Sequence, residues 1–140
     1  MDSIAIDKFL IEIIKKKADL NALTYDDKEY DKIEDELHDM EDEFMDMYGD
    51  EFSEILEDIH DELEADNDVL LPIAYLGTQY ILKGQSADGL NTYDVRPTEG
   101  IPMDTDKYVG KIKRLVLIPN PLRFLLQIDN TKREIVWQVK

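Results

Sequence analysis

The chain has 140 residues, with 33 acidic and 16 basic side chains, a formal net charge of −17, 43% hydrophobic residues and 35% charged residues. The length suits one domain rather than two, the apolar share is enough for a core, and the charged share lies well above the usual figure of roughly 25%. Such an acidic balance argues against direct nucleic-acid binding and against anionic membrane surfaces, and the lack of cysteine removes disulfides, thiolate metal sites and cysteine nucleophiles.

Residues 1–7 lack the basic region and the apolar run of roughly 7 to 15 residues that a signal peptide needs. The longest apolar stretch, 69–76, is interrupted by Pro72 and falls far short of the roughly 20 residues that cross a bilayer. The expectation is a cytoplasmic protein.

Charge is distributed unevenly. Residues 1–70 hold 26 acids and 6 bases, a net of −20, whereas residues 71–140 hold 7 acids and 10 bases, a net of +3. All five prolines and five of the six glycines lie at or after Pro72. A helical part over 1–68 followed by a strand-and-loop part over 69–140, within a single α+β domain, is the simplest reading.

Taken in order, Ile6, Phe9, Leu10, Ile13 and Ile14 recur at helical spacing after Asp2 or Ser3 as cap, with Lys15 to Lys17 suited to the helix C-terminus. Thr24 and Asp27 form a capping-box variant for a second helix, whose seam is Tyr30, Ile33, Leu37, Met40, Phe44 and Met47 and whose stop is Gly49. A third helix, capped by Asp50, carries Phe52, Ile55, Leu56, Ile59 and Leu63. The second and third helices are expected to fold back on each other as an acidic helical hairpin.

Residues 73–83 suit either strand or helix, with strand preferred, and a turn at Ser86, Ala87, Asp88 and Gly89 would return the chain through 90–96 as a β-hairpin. Residues 97–110 read as a loop. The apolar runs 111–118, 122–128 and 133–139, separated by Pro119-Asn120-Pro121 and by 129–132, read as an antiparallel meander, with Leu122, Phe124, Leu126 and Ile128 facing the helices. The predicted fold is therefore N-terminal helices, including the acidic hairpin, packed on a four- or five-stranded, mostly antiparallel C-terminal sheet.

Motifs for specific chemistry fail on inspection. Asp35 with His38, and Glu57 with His60, match the carboxylate-x-x-histidine spacing of a di-metal bundle, but His38 falls roughly 120° from the apolar stripe and His60 only at its edge. Both histidines are expected to face water. Asp104-Thr105-Asp106 begins like a calcium loop, yet Val109 and Leu115 stand where glycine and glutamate are required. Phosphate-binding glycine loops and hydrolase motifs are absent, so no metal, no cofactor and no catalytic residue is assigned. If an enzyme or ligand-binding site exists, the 97–110 loop is the place expected to carry it. The basic residues Lys111, Lys113, Arg114, Arg123, Lys132 and Arg133 are too few beside the acidic half to suggest a nucleic-acid face, and some are expected to lie against the acidic helices.

What remains is the acidity itself. Like charges at i, i+4, such as Asp31 with Asp35 or Glu57 with Asp61, each cost roughly 0.2 to 0.5 kcal/mol on an isolated helix. A one-signed surface that persists against this cost suggests use, namely binding of a basic protein partner through Glu34, Asp35, Asp39, Asp42, Asp46, Glu54, Glu57, Asp58 and Asp61. The plainer alternative is a merely solvated face. A third reading is imitation of DNA: the expected hairpin holds 18 net negative charges, and a duplex matching its length of about 36 Å holds about 21.

Overall fold

The computed structural model describes residues 1–140 and has an α+β fold, two N-terminal helices followed by two antiparallel sheets. Helix α1 (Ser3–Asn21) begins at Asp2, whose carboxylate accepts a hydrogen bond from the Ala5 N–H at 3.2 Å. Helix α2 (Tyr30–Leu63) runs for 34 residues without interruption.

That continuity corrects the expected three-helix arrangement. Gly49 lies inside α2, and the helix starts at Tyr30 rather than after Thr24, because Asp27 closes a turn by accepting from the Glu29 N–H. The physical reason is the phase of the apolar stripe. Phe44, Tyr48, Phe52 and Leu56 follow one another at i+4, so burial continues through Gly49, and interior glycine costs only about 1 kcal/mol relative to alanine. The helix ends instead at Glu64, in the left-handed region at φ 52°, where the Ala65 N–H donates back to the His60 carbonyl. The helical hairpin is therefore formed by α1 and α2. Lys16 meets Glu36 at 2.6 Å while Phe9 meets Phe44 at 5.7 Å between ring centroids, so the two helices run antiparallel.

After α2 comes a short 3-10 turn (Pro72–Tyr75) and then a hairpin of β1 (Ile81–Gln85) and β2 (Asn91–Asp94). The strand expected over 73–83 is thus divided: Pro72 and Tyr75 are buried under α2, and only the last three residues enter β1. The Ser86 to Gly89 turn is where expected, with Gly89 at φ 82°. Within the 97–110 loop a two-residue strand β3 (Ile101–Pro102) joins the meander β4 (Lys113–Ile118), β5 (Arg123–Ile128) and β6 (Lys132–Gln138), giving the order β3-β4-β5-β6. Gly100 is required where β3 meets β4. It sits at φ 110°, and a Cβ there would lie 2.7 Å from the Leu115 carbonyl oxygen.

Alternation along β4 and β5 produces two buried faces. Leu122, Phe124, Leu126 and Ile128, as expected from the sequence, and with them Leu115 and Leu117, join Ile6, Leu10, Ile13 and the C-terminal half of α2 in the main core. Val116, Ile118 and Leu125 point the other way and meet Tyr93, Val95 and the α1 residues Ile11 and Ile14. Asn120 ties the β1-β2 hairpin down, its amide nitrogen donating to the Leu90 and Asn91 carbonyls and to Ser86 Oγ, while its own N–H donates to the buried carboxylate of Asp7. Burial raises the Asp7 carboxyl above its usual range, and the Asn120 N–H opposes that rise.

Replacing Gly49 with alanine distinguishes a helix interior from a helix stop. The added Cβ comes closest to the Met45 methyl at 3.0 Å, the far end of a flexible side chain that can yield by a few tenths of an ångström, so Gly49→Ala is expected to raise stability, by up to about 1 kcal/mol, in urea unfolding. A loss of stability would mean that the chain reverses at Gly49.

Candidate functional site

Helix α2 carries 16 acids and a single lysine, Lys32. Its inner stripe of Leu37, Phe44, Phe52, Leu56, Ile59 and Leu63 is buried, which by the helical period forces the remaining positions outward. Of the nine residues expected to bind a partner, Asp35, Asp39, Asp42, Asp46, Glu54, Glu57, Asp58 and Asp61 are exposed, and Glu34 is half-buried at the margin of the stripe. At 1.5 Å per residue the stretch from Glu34 to Asp61 measures about 40 Å.

The acids of α2 are left almost unneutralised. Only Glu36 pairs with a cation, Lys16 of α1, whose ammonium holds the Glu36 carboxyl below its ordinary value by a hydrogen bond. Continuity of the helix through Gly49 adds an i, i+4 repulsion that a chain reversal would have avoided, Asp46 with Asp50.

Most cations of the sheet half are used away from the acidic helix, and of those expected to lie against it only Lys113 comes near, at the end of α2. Lys111 pairs with Asp129 at 3.6 Å, Arg133 pairs with Asp94, and Arg123 donates to the carbonyls of Pro119, Pro121 and Tyr93. Lys132 stands over the Tyr108 ring at 4.9 Å. Lys113 is buried and donates to the Thr105 carbonyl at 2.7 Å, while the Thr105 hydroxyl donates to the Leu63 carbonyl at the end of α2. The sheet face under α2 is apolar, so cations reach the helix only at this terminus, where they suit its dipole. Trp137 packs against Phe52 and Phe124 in the core.

The histidines divide. His38 is exposed with Asp35, as expected. His60 is not: it is 4% exposed, a correction to the expectation that both face water. Its Nδ1 lies 3.2 Å from the Asn67 carbonyl and its Nε2 3.0 Å from the Tyr75 hydroxyl, which also accepts from the Leu70 N–H. A carbonyl can only accept, so Nδ1 carries the proton and Nε2 accepts from Tyr75, a neutral tautomer assigned from the network. Both ring nitrogens are engaged, and Glu57 on the next turn is exposed, so the pair does not converge as metal ligands. Burial lowers the His60 pKa below its ordinary 6.5.

A feature that sequence reasoning located only by neighbourhood lies beside the 97–110 loop. Pro97 and Thr98, the β4 end with Ile112 and Arg114, and the β5-β6 turn at 129–131 enclose a cleft of about 470 Å³. Nothing local to Arg114 in the sequence sets it apart from the other cations, since the two turns that meet around it are distant along the chain. A groove of similar size, about 470 Å³, lies between α1 and the β1-β2 hairpin and is mostly apolar, lined by Ile14, Tyr80, Leu82 and Tyr93 among others.

No family model matches the chain, and no curated protein and no solved structure is found to be similar to it. No helix is long and apolar enough to cross a membrane.

Because the folded His60 has a lowered pKa, its contribution is complete above about pH 6.5 and is lost as pH falls through the folded value. His60→Gln is expected to cost about 1 to 3 kcal/mol at pH 7.5, with a smaller difference from wild type at pH 5.5. Urea unfolding at both pH values measures this, and a gap that widens at the lower pH contradicts a neutral buried imidazole.

Proposed function

We propose that the protein is a non-enzymatic interaction or regulatory protein of the cytoplasm, and that the outer face of α2 binds a positively charged partner protein. The observation that carries this reading is the lack of intramolecular neutralisation: of the 16 acids on α2 only Glu36 has a cationic partner. Repulsion along the helix is relieved when a basic surface docks. The field of an elongated acidic face also accelerates encounter with such a surface, an effect that weakens with salt.

The same geometry weighs against close imitation of duplex DNA. The net charge of −15 on α2 extends along about 51 Å rather than being doubled back on a hairpin, whereas a duplex of that length carries about 30 charges. A basic partner of ordinary protein type fits this density better than a nuclease or a duplex-binding protein.

Reversing Asp39, Asp46, Glu57 and Asp61 to lysine cuts the net charge of α2 from −15 to −7 without touching buried residues. Wild-type protein is expected to retain a basic partner from its own lysate at about 50 mM salt and release it at about 500 mM, screening lengths of about 14 and 4 Å. The reversed variant should not retain it at either salt. Equal retention by both proteins would remove the acidic face from the interaction, and no retention by either would leave the acids as solvation only.

A further inference from the structure

Arg114 is the exception among the half-buried cations of the sheet. The half-buried Arg123 is engaged with carbonyls and the exposed Arg133 with Asp94, whereas the Arg114 guanidinium donates to no group in the chain and forms no ion pair. It opens into the cleft of about 470 Å³ between Thr98 and the β5-β6 turn, a size within the roughly 300 to 1,000 Å³ of small-molecule sites.

Both walls are held in place. Gln127, the cross-strand neighbour of Arg114, is 1% exposed, and its amide nitrogen donates to the Arg96 and Glu99 carbonyls at 2.9 Å each, fixing the turn that carries Pro97 and Thr98. On the other side the Asp129 carboxylate accepts from the Ile112 N–H at 2.7 Å and meets Lys111, and the Asp129 N–H donates to the Ile112 carbonyl at 2.8 Å. This fixes the turn bearing Asn130 and Thr131 and neutralises the one carboxylate that lines the cleft. A guanidinium with no partner in the chain and a rim of Thr98, Asn130 and Thr131 carried on two fixed turns form a preorganised polar site.

We propose that this cleft binds a small hydroxylated molecule bearing an oxyanion, a phosphate ester or a carboxylate, with the Arg114 guanidinium on the oxyanion and Thr98, Asn130 and Thr131 on the hydroxyls. A guanidinium fork matches such oxyanions in shape and charge. The polar lining, in which Ile112 and Pro97 supply the apolar surface, suits a polyol better than a lipid or an aromatic ring. The site is independent of the partner-binding reading, since α2 covers the opposite face of the same sheet.

The test is amide and side-chain NMR titration at low ionic strength with glycerol 3-phosphate, glycerate and inorganic phosphate as separate probes. Saturable shifts confined to Thr98, Arg114, Asn130 and Thr131 are expected, with glycerol 3-phosphate or glycerate at least threefold tighter than phosphate. Which of the two binds more tightly identifies the oxyanion. Arg114→Gln should weaken binding at least tenfold and Arg114→Lys several-fold, while Lys83→Gln, which removes the same charge outside the cleft, should change it less than twofold. Shifts that rise linearly and spread over surface lysines, or equal affinity in Arg114→Gln, overturn the proposal. Equal affinity for phosphate and the hydroxylated probes overturns the role given to the rim. Should Arg114→Gln fail to fold, Thr131→Val supplies the second variant, and unchanged affinity there together with non-saturating wild-type shifts overturns it equally.

Discussion

The uninterrupted apolar stripe of α2 is the constraint on which the remaining structure depends. From Phe44 the stripe runs into a series of aromatic contacts, Phe44 to Phe52 at 5.5 Å, Phe52 to Phe124 at 6.2 Å and Phe124 to Tyr75 at 6.2 Å, with Phe9 joining from α1 and Trp137 from β6. Each buried ring is worth roughly 1.5 to 3 kcal/mol in transfer from water, and their edge-on geometry adds to that. One helix thereby holds two different partners, α1 along its first half and the meander along its second. The like-charge repulsion on the outer face is smaller than this and is borne by the fold.

Separation of charge follows from the same packing. The helix offers the sheet only apolar side chains, so the cations of the sheet half other than Arg114, such as Lys111 and Arg133, find partners at strand ends and turns instead. The acidic face then has nothing inside the molecule to meet, and the four-stranded sheet stands between it and the basic residues of the opposite face. A single chain thus presents two surfaces of different chemistry, one long, exposed and negative, the other concave, polar and centred on Arg114.

The buried polar groups mark where separate segments are locked together. Asn120 joins the β4-β5 turn to the β1-β2 hairpin and to Asp7 of α1. The His60, Tyr75 and Leu70 series seats the segment after α2 beneath the helix, and Thr105 with Lys113 closes the helix end. In each case a donor or acceptor that would be costly to bury alone meets its complement from a part of the chain far away in sequence.

Period and punctuation were enough to read the helical first half, the α+β class, the turn at Ser86 to Gly89, the meander and the face bearing Leu122, Phe124, Leu126 and Ile128, since these depend on local alternation and turn chemistry. They were also enough to place eight of the nine acids on the outside, because the inward stripe dictates the outward one. Gly49 was misread because a glycine is locally compatible with a helix stop and with a helix interior. Only the burial of Phe44 and Phe52 on one continuous line, with Tyr48 packed between them, decides between the two. The burial of His60, the use of the cations, and the cleft around Arg114 were decided by tertiary structure alone, for one physical reason: each depends on partners such as Tyr75, Asp94 and Gln127 that long-range packing brings near, and no spacing within a local segment encodes that meeting.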